Sequence, residues 1–101
     1  MLGYRKMMVR VNYLGPLRTV TGRDEEDVEL REHARLGDLF ERLGEKYGAE
    51  FERHLFEATG DAKEATLILI NGRTLRKHKE FLGQFLSERD VLSLLPLVSG
   101  G

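Results

Sequence analysis

Leu36-Gly37-Asp38-Leu39-Phe40-Glu41-Arg42-Leu43-Gly44-Glu45-Lys46-Tyr47 is the stretch that decides how this chain folds. Leu36, Leu39, Phe40, Leu43 and Tyr47 recur at i, i+3, i+4, i+7 and i+11, one apolar stripe on a helix of about three turns. Asp38 and Glu41 near its start suit the positive end of the helix dipole, and Gly48 is placed to stop it in the left-handed region. Arg35 stands where Ser, Thr or Asp is the preferred cap. A helix with one apolar stripe needs an apolar surface to lie on. The flanking sequence supplies that surface as strands.

On the N-terminal side, Met7 to Leu14 alternates, with Val9, Val11 and Tyr13 on one face, and Gly15-Pro16 breaks it. A second strand is predicted at Val28 to Arg31, after an acidic turn from Arg23 to Asp27, which makes an antiparallel hairpin. On the C-terminal side, Phe51, Leu55 and Phe56 fit a short helix or ordered loop, and Thr59-Gly60-Asp61 a turn. Thr66 to Ile70 is nearly all apolar, as a buried strand should be. Asn71-Gly72 then signals a tight turn into a strand beginning at Thr74-Leu75. Phe81, Phe85 and Leu86 fit one helical turn, Val91 to Leu95 is the last strand, and Pro96 ends it.

The order is β-β-α-β-β-β, an α+β fold with one main crossing helix. A right-handed crossover puts the first and last strands side by side and parallel in the centre of a mixed sheet. That is the β-grasp, or ubiquitin-like, arrangement. It predicts one domain over residues 1–96 and a flexible C-terminal tail over 97–101.

Composition narrows the function. The chain has 101 residues, is 33% charged and carries a net charge of −1, which argues against a dedicated nucleic-acid binder. No apolar run approaches the ~20 residues that span a bilayer, and the N-terminus lacks a secretory pattern, so a cytoplasmic protein without membrane attachment is expected. There is no cysteine, which excludes disulfides, thiolate metal sites and cysteine nucleophiles. His33, His54 and His78 lack metal-ligand spacing, and no glycine-rich phosphate loop occurs. No metal or cofactor is expected on the chain. The acidic run Asp24 to Asp27 reads as a solvated turn, and Arg76-Lys77-His78-Lys79 as an exposed strand end.

The tail is different. Leu97-Val98-Ser99-Gly100-Gly101 follows a central strand and extends roughly 17 Å beyond Pro96. An unbranched Gly-Gly end can enter a narrow channel that side chains would block. The Gly101 carboxylate presented in that way is a chemical handle.

Four segments carry a resemblance: Val9 to Arg18, Leu36-Gly37-Asp38-Leu39, Ile70-Asn71-Gly72-Arg73, and Leu95 to Gly101. Together they resemble the MoaD family, the sulfur-carrying small subunits of molybdopterin synthase, relatives of ThiS and of ubiquitin-like modifiers. The chain departs from that pattern at Leu97, Arg89 and Arg35. The resemblance implies that a ubiquitin-activating-like partner uses ATP and Mg²⁺ to adenylate Gly101. A persulfide donor then gives a thiocarboxylate, and the sulfur passes to a pterin precursor in the synthase large subunit. Gly100 gives clearance, while Leu95, Leu97, Val98 and Ser99 line the partner's channel. Period-2 alternation adds Leu14 and Leu95 as an exposed docking pair on the face away from the helix. On this reading the chain is a co-substrate, and its partners are the enzymes. Two alternatives remain open: a small modifier or sulfur carrier with another acceptor (a protein lysine, tRNA or a thiamin precursor), and an interaction module whose terminal glycines are incidental.

Overall fold

A computed structural model describes residues 5–56, 66–76 and 80–96. Burial alternates along β1 (Lys6–Tyr13), with Met7, Val9, Val11 and Tyr13 turned inward. β2 (Glu25–Arg31) runs antiparallel to β1, with Val9 opposite Val28. β5 (Val91–Pro96) lies on the other side of β1 and parallel to it, from Arg10–Val91 to Tyr13–Leu94. β3 (Thr66–Ile70) pairs antiparallel with β5, and the two-residue β4 (Arg73–Thr74) follows at the far edge. The sheet order β2-β1-β5-β3-β4 places the first and last strands together at the centre, as the sequence predicts.

The helix α2 (Leu36–Tyr47) lays its stripe on the inner face of this sheet. Leu36, Leu39, Phe40 and Leu43 share one core with Val9, Val11, Ile68, Leu92 and Leu94, and Ile70 packs at its margin. Each such side chain contributes roughly 1.5–3 kcal/mol by leaving water. At the helix start the Arg35 N–H donates to the Asp38 carboxylate at 2.8 Å. Half of a capping box therefore survives without a capping side chain at Arg35.

Several boundaries differ from the sequence reading. Glu25, Glu26 and Asp27 are strand, not turn, because β2 continues the ladder down to Asn12–Glu25 and turns Glu26 inward. The connection from β1 to β2 is not a short loop. It holds a one-turn helix, α1 (Leu17–Thr21), anchored by fully buried Leu17. Gly48 has φ 81° and ψ −163°, an extended positive-φ conformation open to glycine rather than the left-handed helical one. It swings the chain directly into α3 (Ala49–Leu55), whose Phe51 and Leu55 join the core. Near Phe81 only Phe81–Gly83 forms a 3-10 turn. Phe81 and Leu86 are buried, but Phe85 faces outward, with the Arg35 guanidinium 4.6 Å from its ring centre. The expected turn at Thr59-Gly60-Asp61 lies outside the described residues.

One polar group is built into the core. Glu26 is 8% exposed, and its carboxylate accepts from the Tyr13 hydroxyl at 3.1 Å, from Lys46 at 2.8 Å and from the Tyr47 hydroxyl. This ties the ends of β1 and α2 to the start of β2. Burial alone would push the Glu26 carboxyl up, but hydrogen bonds from Lys46, Tyr47 and Tyr13 outweigh it and hold it below the usual carboxylate range. Burial and the adjacent Glu26 charge raise Tyr13, so its hydroxyl stays protonated as a donor.

Two measurements check this account. Leu39→Ala or Phe40→Ala should cost about 2–5 kcal/mol in chemical denaturation, as cavities in a packed core. A loss below about 0.5 kcal/mol for both would mean that α2 does not rest on the sheet through this stripe. Glu26→Gln should cost about 1–3 kcal/mol at neutral pH, because charge-assisted bonds become neutral ones. A carboxyl with a lowered folded pKa stabilises above its unfolded value and loses that contribution as pH falls through the folded one. The gap between Glu26→Gln and the parent should therefore begin to narrow as pH falls past the ordinary Glu range and close only once the folded carboxyl itself takes up a proton.

Candidate functional site: the end of the central strand and the outer sheet face

β5 finishes beside the end of β1. The Leu14 N–H donates to the Leu94 carbonyl at 3.0 Å, which extends the central ladder one step past Tyr13. On the other side Pro96 sits opposite Thr66 in the β3 register. Gly15 turns the chain away here at φ 60°, and a Cβ on it would stand 3.2 Å from Leu95 Cδ1 and 3.7 Å from the Pro96 carbonyl oxygen. The corner Leu14-Gly15 and the strand end Leu95-Pro96 thus pack against each other. Pro96 belongs to β5 rather than merely ending it. Leu97, Val98, Ser99, Gly100 and Gly101 lie outside the described residues.

Alternation divides the sheet's outer face in two. Toward β2 it is charged: Arg10 bonds Asp27 at 3.0 Å and Glu25 at 3.4 Å, and Lys6 bonds Glu29 at 3.3 Å. Toward β3 it is apolar: Leu95 lies opposite Leu67, and Leu69 opposite Ser93. Leu14, Leu67, Leu69, Val91 and Leu95 are each half-buried. The Asn12 side-chain N–H donates to Ser93 Oγ at 3.3 Å between the two halves. The structure therefore keeps Leu14 and Leu95 on this face next to the strand end. It adds Leu67 and Leu69, which the sequence reading did not place there. Their signal was present, because inward Ile68 and Ile70 force Leu67 and Leu69 outward.

The other side chains weighed from sequence do not gather into a site. His33 is exposed and 3.3 Å from Glu32, His54 is half-buried in α3, and His78 lies outside the described residues. Glu25 and Asp27 point outward while Glu26 points inward, so the acidic run cannot converge on a cation. Among the described residues no cluster of three His, Asp or Glu side chains could hold a metal. Nor is any helix among them long and apolar enough to cross a membrane.

The family profile of the ThiS family matches residues 11–101, from the middle of β1 through the terminal glycines. Among solved structures, the protein assigned as molybdopterin converting factor, subunit 1, from Pyrococcus furiosus is 31% identical with a TM-score of 0.70, covering 91% of this chain and 99% of that one. The small archaeal modifier protein 1 of Methanosarcina acetivorans is 28% identical with a TM-score of 0.78, covering 96% and 99%. SAMP1 of Haloferax volcanii is 26% identical with a TM-score of 0.77, covering 93% and 99%. No match is found among curated protein sequences. A profile that runs through the β-grasp sheet, whose last strand lies in its middle, to Gly101 leaves one assignment: this chain belongs to the ThiS family of ubiquitin-like sulfur carriers and modifiers.

Proposed function

We propose that the chain is the sulfur-carrying small subunit of a molybdopterin synthase, with the carboxylate of Gly101 as its working group. The observation that carries this reading is the family match running through Gly101 on a chain whose last strand lies in the middle of the sheet, and the 31% identity to the Pyrococcus furiosus molybdopterin protein favours a pterin acceptor. A carboxylate is a poor acyl donor because its leaving group would be oxide. Adenylation by an activating enzyme, with ATP and Mg²⁺ held by that enzyme, creates a good leaving group. A persulfide donor then displaces AMP to give an acyl disulfide, and a thiol reduces that disulfide to free the Gly101 thiocarboxylate, whose sulfur passes to a pterin precursor in the large subunit on the way to a molybdenum or tungsten cofactor. Gly100 provides clearance, and Leu97, Val98 and Ser99 lie along the partner's channel. The half-buried leucines beside the strand end, Leu14 and Leu95, make the docking contact with the large subunit or activating enzyme.

A second reading keeps the activation and changes the acceptor to a lysine of another protein. Similarity to two small archaeal modifier proteins supports it, with TM-scores of 0.77 and 0.78 against 0.70 for the molybdopterin protein. Sulfur delivery to tRNA or a thiamin precursor shares the same first step.

Incubation with the activating enzyme, ATP, Mg²⁺, a persulfide donor and a thiol reductant should raise the intact mass by about sixteen units, sulfur replacing oxygen. Deleting Gly101, or adding a residue after it, should abolish that gain with an unchanged melting curve. Full loading of the truncated chain would exclude Gly101 as the carrier. With the large subunit and pterin precursor the added mass should then be lost, whereas isopeptide adducts on lysines would select the modifier reading. Leu95→Asp or Leu14→Asp should weaken partner binding at least about tenfold in calorimetric titration, because a carboxylate would be desolvated in an apolar contact. Unchanged affinity for both would remove the leucines from the docking surface. A large fall in melting temperature would instead make them packing residues.

A further inference from the structure

The turn between β3 and β4 holds a group that the carrier chemistry does not use. Asn71 and Gly72 have φ values of 53° and 82°, the paired positive angles of a tight type I′ hairpin turn. Asn-Gly is also the sequence most open to succinimide formation, since glycine has no side chain to shield its backbone nitrogen. Both residues are exposed to water.

The Asn71 carboxamide is nevertheless held at both ends. Its Nδ2 donates to Asp90 Oδ1 at 2.9 Å, and its Oδ1 accepts from the Val91 N–H at 2.8 Å. These partners fix which end is nitrogen, because Val91 can only donate and the carboxylate only accept. The Asn71 N–H bonds the Val91 carbonyl at 2.8 Å, and Asp90 Oδ2 accepts from the Ser87 N–H at 2.7 Å. The carboxamide is therefore fixed against the start of β5 by both of its ends.

We infer that Asn71 is a deamidation site that the Asp90–Val91 clamp holds inert, and that its conversion is an irreversible change the clamp cannot re-form around. When the clamp opens, the Gly72 backbone nitrogen loses its proton and bonds to Asn71 Cγ. The Cγ–Nδ2 bond breaks, and Nδ2 departs as ammonia after taking up a proton from water. The cyclic imide then adds one water. Opening on one side gives aspartate, and on the other isoaspartate with an extra backbone carbon in the turn. The net change is one water consumed and one ammonia released, without an oxidant or reductant. Either product sets a carboxylate against Asp90, where the carboxamide had donated a hydrogen bond.

The test incubates the full chain at mildly alkaline pH, below its melting temperature, and follows the tryptic peptide Glu64–Arg73. Deamidation adds about one mass unit, and isoaspartate separates from aspartate by chromatography. The synthetic peptide of the same sequence gives the unclamped rate. The folded chain should react at least about tenfold more slowly than the peptide, the factor that one or two ordinary hydrogen bonds impose on opening. Asp90→Ala should be several-fold faster than the parent. Equal rates for parent and peptide, or for parent and a folded Asp90→Ala, would overturn the inference. Asp90→Ala also frees the Ser87 N–H, so a second pair guards against general loss of the fold. Asn71→Asp should lower the melting temperature, and adding Asp90→Asn should restore part of it by reversing donor and acceptor. A double variant no more stable than Asn71→Asp alone would equally sink the idea.

Discussion

The pairing of Arg10–Val91 through Tyr13–Leu94 joins the two ends of the chain as parallel neighbours in the middle of the sheet. A parallel pair cannot be closed by a tight turn, so the connecting chain must leave the sheet plane and return. α2 is that crossing, and its apolar stripe covers the ladder's inner face. Every other strand takes its place from this pair, β2 beside β1 and β3 beside β5. The same pairing sends the last strand out from the centre of the sheet rather than from an edge.

The two ends of β5 are secured differently. At its start the fastening is hydrogen-bonded and exposed: Asn71 to Asp90 and Val91, Ser87 to Asp90, and the Arg89 N–H to the Met8 carbonyl at 2.8 Å. At its finish the fastening is packed. Gly15 lies against Leu95 and Pro96, and Tyr13 meets the adjacent Tyr47 and Phe51 rings edge-on, with ring centres 6.0 and 6.2 Å away. Beneath them Glu26 joins β2 to α2. A buried carboxylate is tolerable here because it has three donors. The end of the sheet where β5 finishes is thus anchored from β1, β2, α2 and α3 together.

A carrier of this kind needs little chemistry of its own. The described residues offer an outer face split into a charged half and an apolar half, and no converging acids, bases or metal ligands. The charged half is internally paired, so apolar contact is what the face has left to offer a partner.

Much of this was legible in the residues alone. The stripe from Leu36 to Tyr47, the alternation of β1 and the Asn71-Gly72 turn name their elements because helix and strand periods differ and a type I′ turn demands positive φ. The strand order followed from the handedness of crossovers. Tertiary structure decided the rest. Glu25 to Asp27 have turn composition yet extend β2, because β1 offers a ladder and Glu26 finds three donors that no local pattern reveals. Phe85 has core composition yet faces water, because the bridge to Arg35 fixes the backbone there and leaves the inward positions to Phe81 and Leu86. Local sequence sets the period of each element. Which side chain meets which partner depends on residues brought together from opposite ends of the chain, and only the packed sheet determines that.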